Sequence, residues 1–255
     1  MNKSKIEWCD ATWNPVTGCS HGCKYCYARR VATRFGTRLP DRSGYPEAHG
    51  GIHCLENKIK GNPYPYIFEP TFLPFRLVEP ERVKEPQTIF VCSMADLFGD
   101  WVPDSWIEEV FAACKKAPQH RYLFLTKAPH RYARLANAGK LPARRECPNF
   151  WYGTTVTKAG DTAFTPGVTY NTFLSIEPLL EPLDAGIGSF GGAKLVILGA
   201  ETGNRKGKVT PRREWVDNIC EAAGLTHAAV FMKDSLLPIM GAEDMRRELP
   251  WEVTQ

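Results

Sequence analysis

Cys19-Ser20-His21-Gly22-Cys23-Lys24-Tyr25-Cys26 packs three thiols into eight residues at C-x3-C-x2-C spacing, directly after the turn-like Asn14-Pro15-Val16-Thr17-Gly18. That spacing matches neither the paired C-x2-C knuckles of a zinc ribbon nor a disulfide framework. Three thiolates on one short loop can hold three corners of a cubane iron–sulfur cluster. The fourth corner, lacking a protein ligand, is then open to another molecule. The competing readings are structural zinc, held by two of these thiols with His21 or a distant cysteine, and thiols that bind nothing.

The elements that must position this loop come from an ordinary globular composition. The 255 residues, 43% hydrophobic and 24% charged, suffice for one large α/β domain or two small ones, and the expectation is a single domain over 1–255. Apolar runs such as Leu195-Val-Ile-Leu198 are strand-length, and Met1-Asn-Lys-Ser-Lys-Ile-Glu-Trp8 has no apolar h-region. Neither a membrane span nor a secretory signal is therefore expected. Nine cysteines, an odd number, then point to a reducing, cytoplasmic setting. A net charge of +4 permits a nucleic-acid partner without requiring one.

In chain order, Ile6 to Trp13 predicts a first strand that delivers the cysteine loop, and Cys26 to Phe35 predicts a helix ended by Gly36. The Arg29, Arg30 and Arg34 side chains on that helix suit a solvated face or a phosphate. From Thr37 to Pro86 periodicity disappears among Pro, Gly, Tyr and His, as in Asp41-Arg-Ser-Gly-Tyr-Pro46 and Gly61-Asn-Pro-Tyr-Pro-Tyr66. A connection of that length reads as a loop-rich insertion or lid, with short strands near Ile67-Phe68 and Phe72-Leu73 and with His49, His53 and Cys54 as possible metal ligands. Strands and helices then alternate. Thr88–Cys92 reads as a strand, and Ser105-Trp-Ile-Glu108 as a capping box opening a helix that Pro118 stops. Arg121–Thr126 is the next strand, Pro129–Ala138 the next helix, and strands follow at Phe150–Val156, Thr172–Ile176 and Lys194–Leu198. Thr210-Pro211 caps a helix closed by Gly224, and Ala228–Met232 is the last strand.

This order predicts an α/β fold with a parallel sheet, as a partial or full (β/α) barrel of TIM type with an irregular insertion after the first helix. Polar residues close the strands: Ser93, Met94 and Asp96; Thr126 and Lys127; Thr154 and Thr155; Ser175 and Glu177; Glu201 and Thr202; Lys233 and Asp234. In a parallel barrel the carboxyl ends of the strands form the reactive face, and the cysteine loop would lie there too.

Several of these segments together resemble a known family. Ile6-Glu-Trp8, Thr12-Trp-Asn-Pro-Val-Thr-Gly-Cys19, Gly22-Cys-Lys-Tyr-Cys-Tyr-Ala28, Val91-Cys-Ser-Met-Ala-Asp-Leu-Phe98, Leu125-Thr-Lys127, Ser175-Ile-Glu-Pro-Leu-Leu180 and Leu198-Gly-Ala-Glu-Thr-Gly203 are similar to a small phage- and prophage-associated family of the radical S-adenosylmethionine (radical SAM) superfamily, related to spore photoproduct lyase. The resemblance spans nearly the whole chain apart from Thr37 to Pro86. Many members carry a longer spacer between the first two cysteines, whereas this chain has the usual superfamily spacing.

The resemblance implies a 4Fe–4S cluster on Cys19, Cys23 and Cys26, with S-adenosylmethionine on the free iron and Tyr25 near its adenine. Ser93-Met94-Ala95-Asp96 takes the place of the superfamily's Gly-Gly-Glu segment, and Ser93, Met94, Asp96, Lys127, Thr154, Ser175 and Glu177 are the implied cofactor contacts. An external reductant, a flavodoxin or ferredoxin or else dithionite, supplies an electron. The cofactor is cleaved to methionine and a 5′-deoxyadenosyl radical, which takes hydrogen from the substrate. Lys127 or Glu201 can reach a substrate or cofactor group, and Cys92 or Cys54 can return a hydrogen atom, although Cys92 equally reads as a buried structural thiol. Basic residues at Arg144 and Arg145, and at Arg205, Lys206, Lys208, Arg212 and Arg213, favour a nucleic acid or nucleotide base as substrate. A peptide or small metabolite is the enzymatic alternative. A zinc or iron–sulfur module that binds nucleic acid without catalysis is the other.

Overall fold

The structure, a computed structural model, describes residues 1–37, 51–183 and 192–252. Asp41 to Pro46 and His49 lie outside the described residues. Where the composition allows one domain or two, the chain packs as two compact units, Met1–Pro142 and Ala143–Gln255.

The first unit runs β1 (Asn2–Lys3), β2 (Ala11–Trp13), β3 (Val16–Thr17), α1 (Tyr27–Phe35), β4 (His53–Cys54), β5 (Thr71–Phe72), β6 (Thr88–Val91), α2 (Asp104–Lys116), β7 (Arg121–Thr126) and α3 (Pro129–Asn137). Four of its strands lie in the order β1-β2-β6-β7. β2, β6 and β7 are parallel, with Trp13 opposite Val91 and Val91 opposite Phe124, and β1 is the antiparallel edge. The sheet's core is aromatic: Phe98 lies 4.5 Å from Tyr132 and 6.0 Å from Phe124, which meets Phe111 edge-on at 5.3 Å. Each such buried ring contributes about 1.5–3 kcal/mol over its exposed state.

Local chemistry moved several boundaries. Only Ala11–Trp13 of the expected Ile6–Trp13 strand is extended, because Ser4 holds residues 6–9 in a turn through bonds from Ile6 N at 2.9 Å and Cys9 Sγ at 3.2 Å. Helix α2 begins at Asp104 after Pro103, with no side-chain cap, so Ser105 and Glu108 form no capping box. Asp104 in its first turn and Lys115 and Lys116 in its last complement the helix dipole instead. The stretch expected to be irregular is ordered over its described part. β3, β5 and β4 make a second small sheet in that order, and Leu55, Phe68, Phe72 and Leu73 are buried. Phe72 is extended as expected, whereas Ile67 turns at φ 55°.

The second unit runs β8 (Phe150–Thr155), β9 (Asn171–Ile176), β10 (Ala193–Leu198), α4 (Arg213–Leu225), β11 (Ala229–Met232) and α5 (Leu237–Met240). Its strands lie in the order β8-β9-β10-β11, all parallel. Val216, Ile219 and Ala223 of α4 pack on Val196, Leu198, Val230 and Met232. Gly153 in β8 makes room for Phe173, whose ring would stand 2.2 Å from a β-carbon there. Helix α4 begins at Arg213 with Arg212 as N-cap and no side-chain cap, so Thr210-Pro211 lies ahead of it, and Gly224 falls inside its last turn. The expectation of an α/β fold with a mostly parallel sheet therefore holds within each unit. A closed barrel does not appear, since each unit's strand order is open among the described residues. Among the described residues no helix is long and apolar enough to cross a membrane.

Candidate functional site

The cysteine loop is gripped from two sides by backbone. On one side Gly18 N donates to Met94 O at 2.9 Å, and Gly18 bridges Ala95; on the other, Cys19 N donates to Phe68 O at 3.1 Å. Gly18 threads between these strips at φ 84°, and a β-carbon there would stand 2.1 Å from Glu69 O. Only glycine fits both the dihedral and the space. The 66–73 segment thus backs the loop, and it backs the strand before it too: Leu73 N donates to Pro15 O at 2.7 Å, and Trp13 Nε1 to Arg76 O at 2.8 Å.

Two buried polar side chains complete the grip. Asn14 Oδ1 accepts from Met94 N at 2.8 Å and from Ser93 Oγ at 3.2 Å, which ties the end of β6 to the start of the loop. Asp96, 5% exposed, accepts from Phe98 N at 3.0 Å and Lys127 N at 2.9 Å and lies 2.7 Å from His21 Nε2. One carboxylate so joins the loop to the ends of β6 and β7. The His21 ring also meets Trp101 edge-on at 4.8 Å.

Past the loop, Cys26 is the N-cap of α1, its Sγ accepting from Arg29 N at 3.3 Å. Ala28 and Ala32 turn inward onto Phe68 and Met94. Arg29 Nη2 donates to Cys19 O at 3.2 Å, and its guanidinium lies 4.8 Å over Phe68. Lys127 Nζ stands 5.6 Å from the centre of the Tyr25 ring, and Tyr27 OH donates to Ser93 O at 2.6 Å. Of the residues singled out in this half, Tyr25, Ser93, Met94, Asp96 and Lys127 therefore share the surroundings of the three cysteines. Beside Cys19 opens a cleft of about 540 Å³ whose walls include Arg29, Tyr66, Phe68 and Glu69.

All three thiols are half-buried. Burial pushes Cys19 up to about 12; a hydrogen bond from the His21 backbone opposes this, and the charges of Asp96, Cys23 and Cys26 reinforce it. Among the described residues no group of three or more His, Cys, Asp or Glu is gathered so that it could hold a metal ion. The thiols are thus neighbours on one loop rather than converged on one centre. Three thiolates in this setting need a positive centre to offset their mutual repulsion and desolvation. His21, which structural zinc would recruit, is turned to Asp96. The donor chemistry fits an iron–sulfur cluster held at three corners.

Other flagged residues have partners of their own. Cys92, at φ 60° and 2% exposed, donates its N–H to Trp13 O at 2.7 Å, and burial pushes its thiol up to about 12. His53 lies 2.6 Å from Glu69 Oε2 and stacks on Tyr66 at 3.7 Å, while Cys54 Sγ donates to Glu56 at 3.3 Å. In the second unit Thr154 Oγ1 accepts from Phe164 N at 3.2 Å, and Ser175 is buried in β9. Glu177 pairs with Lys233. Glu201, 4% exposed, is held bidentately by Arg205 at 2.5 and 2.7 Å and accepts from Val209 N at 3.3 Å. Arg205 foremost holds the Glu201 carboxyl below the usual range.

Of the holding residues, only Asp96 stands out in the sequence: Asn14 and Gly18 read as a turn, and the 66–73 backing has no periodic signal. The Asn-Pro and Gly punctuating the approach to Cys19 were the available clue.

The fold is similar to that of spore photoproduct lyase. A cysteine-to-serine mutant of that enzyme matches with a TM-score of 0.54 at 12% identity, over 91% of this chain and 79% of the other. Spore photoproduct lyase complexed with dinucleoside spore photoproduct gives 0.49 at 11% identity, over 86% and 75%. The chain belongs to the family described as protein of unknown function (DUF5131), whose model matches residues 3–235. Comparison with curated proteins found no match.

Proposed function

We propose that this chain is a radical SAM enzyme acting on a nucleic acid or nucleotide base. Cys19, Cys23 and Cys26 would hold a 4Fe–4S cluster, and Tyr25, Ser93, Met94 and Lys127 would bind S-adenosylmethionine beside it. The chemistry supplied by the loaded site is reductive cleavage of S-adenosylmethionine to methionine and a 5′-deoxyadenosyl radical, which removes a hydrogen atom from the substrate. The protein's own work is positioning. Asp96 and Asn14 fix the loop, Arg29 holds the Cys19 carbonyl, and the Lys127 ammonium stands over the Tyr25 ring. Asp96 orients the loop through His21, Phe98 and Lys127, and its carboxylate keeps acceptor capacity for the cofactor.

The observation that carries this reading is the three-thiol loop, clamped by Gly18, Asn14 and Asp96 in a fold similar to spore photoproduct lyase. The substrate class rests on the sequence resemblance to relatives of spore photoproduct lyase and on the basic run from Arg205 to Arg213. The test is iron, sulfide and zinc content after anaerobic reconstitution, followed by reduction with dithionite and S-adenosylmethionine and assay of 5′-deoxyadenosine. About four irons and four sulfides per chain, with 5′-deoxyadenosine formed by wild type and not by Cys23→Ala, are expected. Stoichiometric zinc without 5′-deoxyadenosine would overturn the reading in favour of a structural module.

A further inference from the structure

Between Asp10 and Asp41 the chain has no carboxylate side chain, yet it carries Lys24, Arg29, Arg30, Arg34 and Arg38. Those five cations exceed the chain's net charge of +4, so the remaining residues together are slightly acidic. The described part of this stretch is the cysteine loop and α1, and its outward side is set by structure. Ala28 and Ala32 face inward, while Lys24, Arg29, Arg30, Thr33 and Arg34 are exposed. Two aromatics share the outward side, Tyr27 at 46% exposure and Phe35 at 55%. Arg30 lies one turn of helix, about 6 Å of rise, beyond Cys26, and Arg34 one turn further. Asp96 and Glu69, the carboxylates that back the loop, are already engaged by His21 and His53.

A surface of this kind, cationic over its described residues, with Arg and aromatic side chains standing out and with Glu69 at its edge engaged by His53, is suited to an acidic protein partner. On the radical SAM reading the site beneath it takes up one electron for each cofactor cleaved, and the loop residues Ser20, Gly22 and Lys24 just ahead of α1 reach solvent. We propose that the loop and the exposed side of α1 form the docking surface for an acidic one-electron donor protein. This rests on the radical SAM reading above. In the transfer step the donor's anionic flavin hydroquinone loses one electron and becomes the neutral semiquinone, the loaded site gains that electron, and no proton moves.

The experiment compares wild type with Arg30→Gln/Arg34→Gln, using a bacterial flavodoxin as probe in two arms. In the first, oxidised flavodoxin is titrated into the chain without cluster at about 20 mM and 300 mM salt. Wild type should bind at low salt, and the double variant at least fivefold more weakly, with the difference vanishing at high salt as the charges are screened. In the second, reconstituted protein is mixed with flavodoxin hydroquinone and the semiquinone absorbance is followed. The double variant should lose at least fivefold in rate, while its reduction by dithionite is unchanged. Equal binding and equal rates in the two proteins would overturn the proposal. Unchanged flavodoxin binding with weakened binding of a single-stranded oligonucleotide would also overturn it, assigning the face to nucleic acid. If no semiquinone forms with either protein, the radical SAM reading fails, and the first arm still decides the docking surface.

Discussion

The same sequence signal, polar residues at the ends of parallel strands, leads to opposite outcomes in the two units. In the first, the polar groups after β2 and β6 spend themselves largely on backbone, Asn14 on Met94 N and Asp96 on Phe98 N and Lys127 N, with His21 beside Asp96. What they hold in place is a loop of three half-buried thiols, of which burial holds Cys19 in its neutral form until a cation offsets the charge. In the second, the polar groups close on each other, Glu177 with Lys233 and Glu201 with Arg205. A carboxylate matched by a guanidinium or ammonium must share that partner with any ligand, whereas a set of thiolates gains by taking up a cation. Function on this reading is concentrated where the protein pays for order without neutralising charge.

The comparison breaks first at the loop. Gly18→Ala forces a β-carbon against Glu69 O in a left-handed dihedral. The expected cost is about 2–5 kcal/mol, from overpacking and the left-handed conformation together. Thermal unfolding should fall by roughly 5–15 °C, and reconstituted iron should fall with it. A melting temperature within a degree or so of wild type would show that the loop is not clamped as described. Asp96→Asn is gentler. It keeps one acceptor but sets an amide donor against the Lys127 N–H or His21, for an expected loss of about 1–3 kcal/mol in denaturant unfolding. Its sharper readout is iron retention on dilution, which should drop even where the fold survives, because His21 is the loop's link to Asp96. Iron held as firmly as in wild type would reduce Asp96 to a fold residue.

What could be read in advance follows from how local each cause is. The strands β6 to β11 were legible because runs such as Leu195–Leu198 are continuously apolar, and α3 because Pro129 opens it and Gly139 follows it. Helix starts were not, since α2 and α4 begin without the side-chain caps that Ser105 and Thr210 suggested. The three cysteines were legible because their spacing is itself the signal. Their support was not: Phe68 O and Glu69 O act through backbone, and Asp96 reaches His21 across 75 residues. Nothing local in the sequence marks Glu201 as paired either, although Arg205 stands only four residues on.

That last pair gives the finest test of the contrast. Arg205 holds the Glu201 carboxyl below its usual range, so Glu201 binds its proton less readily folded than unfolded. The pair's contribution is therefore fully present above the ordinary glutamate pKa of about 4.3, and is lost as pH falls through the lower folded value. Arg205→Ala should then lower the melting temperature by a few degrees at neutral pH and by much less near the acid end of the folded range, leaving 5′-deoxyadenosine formation from S-adenosylmethionine intact. Calorimetric scans of both proteins across the acid range would show it. A melting difference that does not shrink with acid would mean that Arg205 stabilises through its bond to Gly207 O rather than through charge. Lost cofactor cleavage with an intact fold would instead put Glu201 in the chemistry, and erase the distinction between a unit that closes its charges and one that leaves them to a ligand.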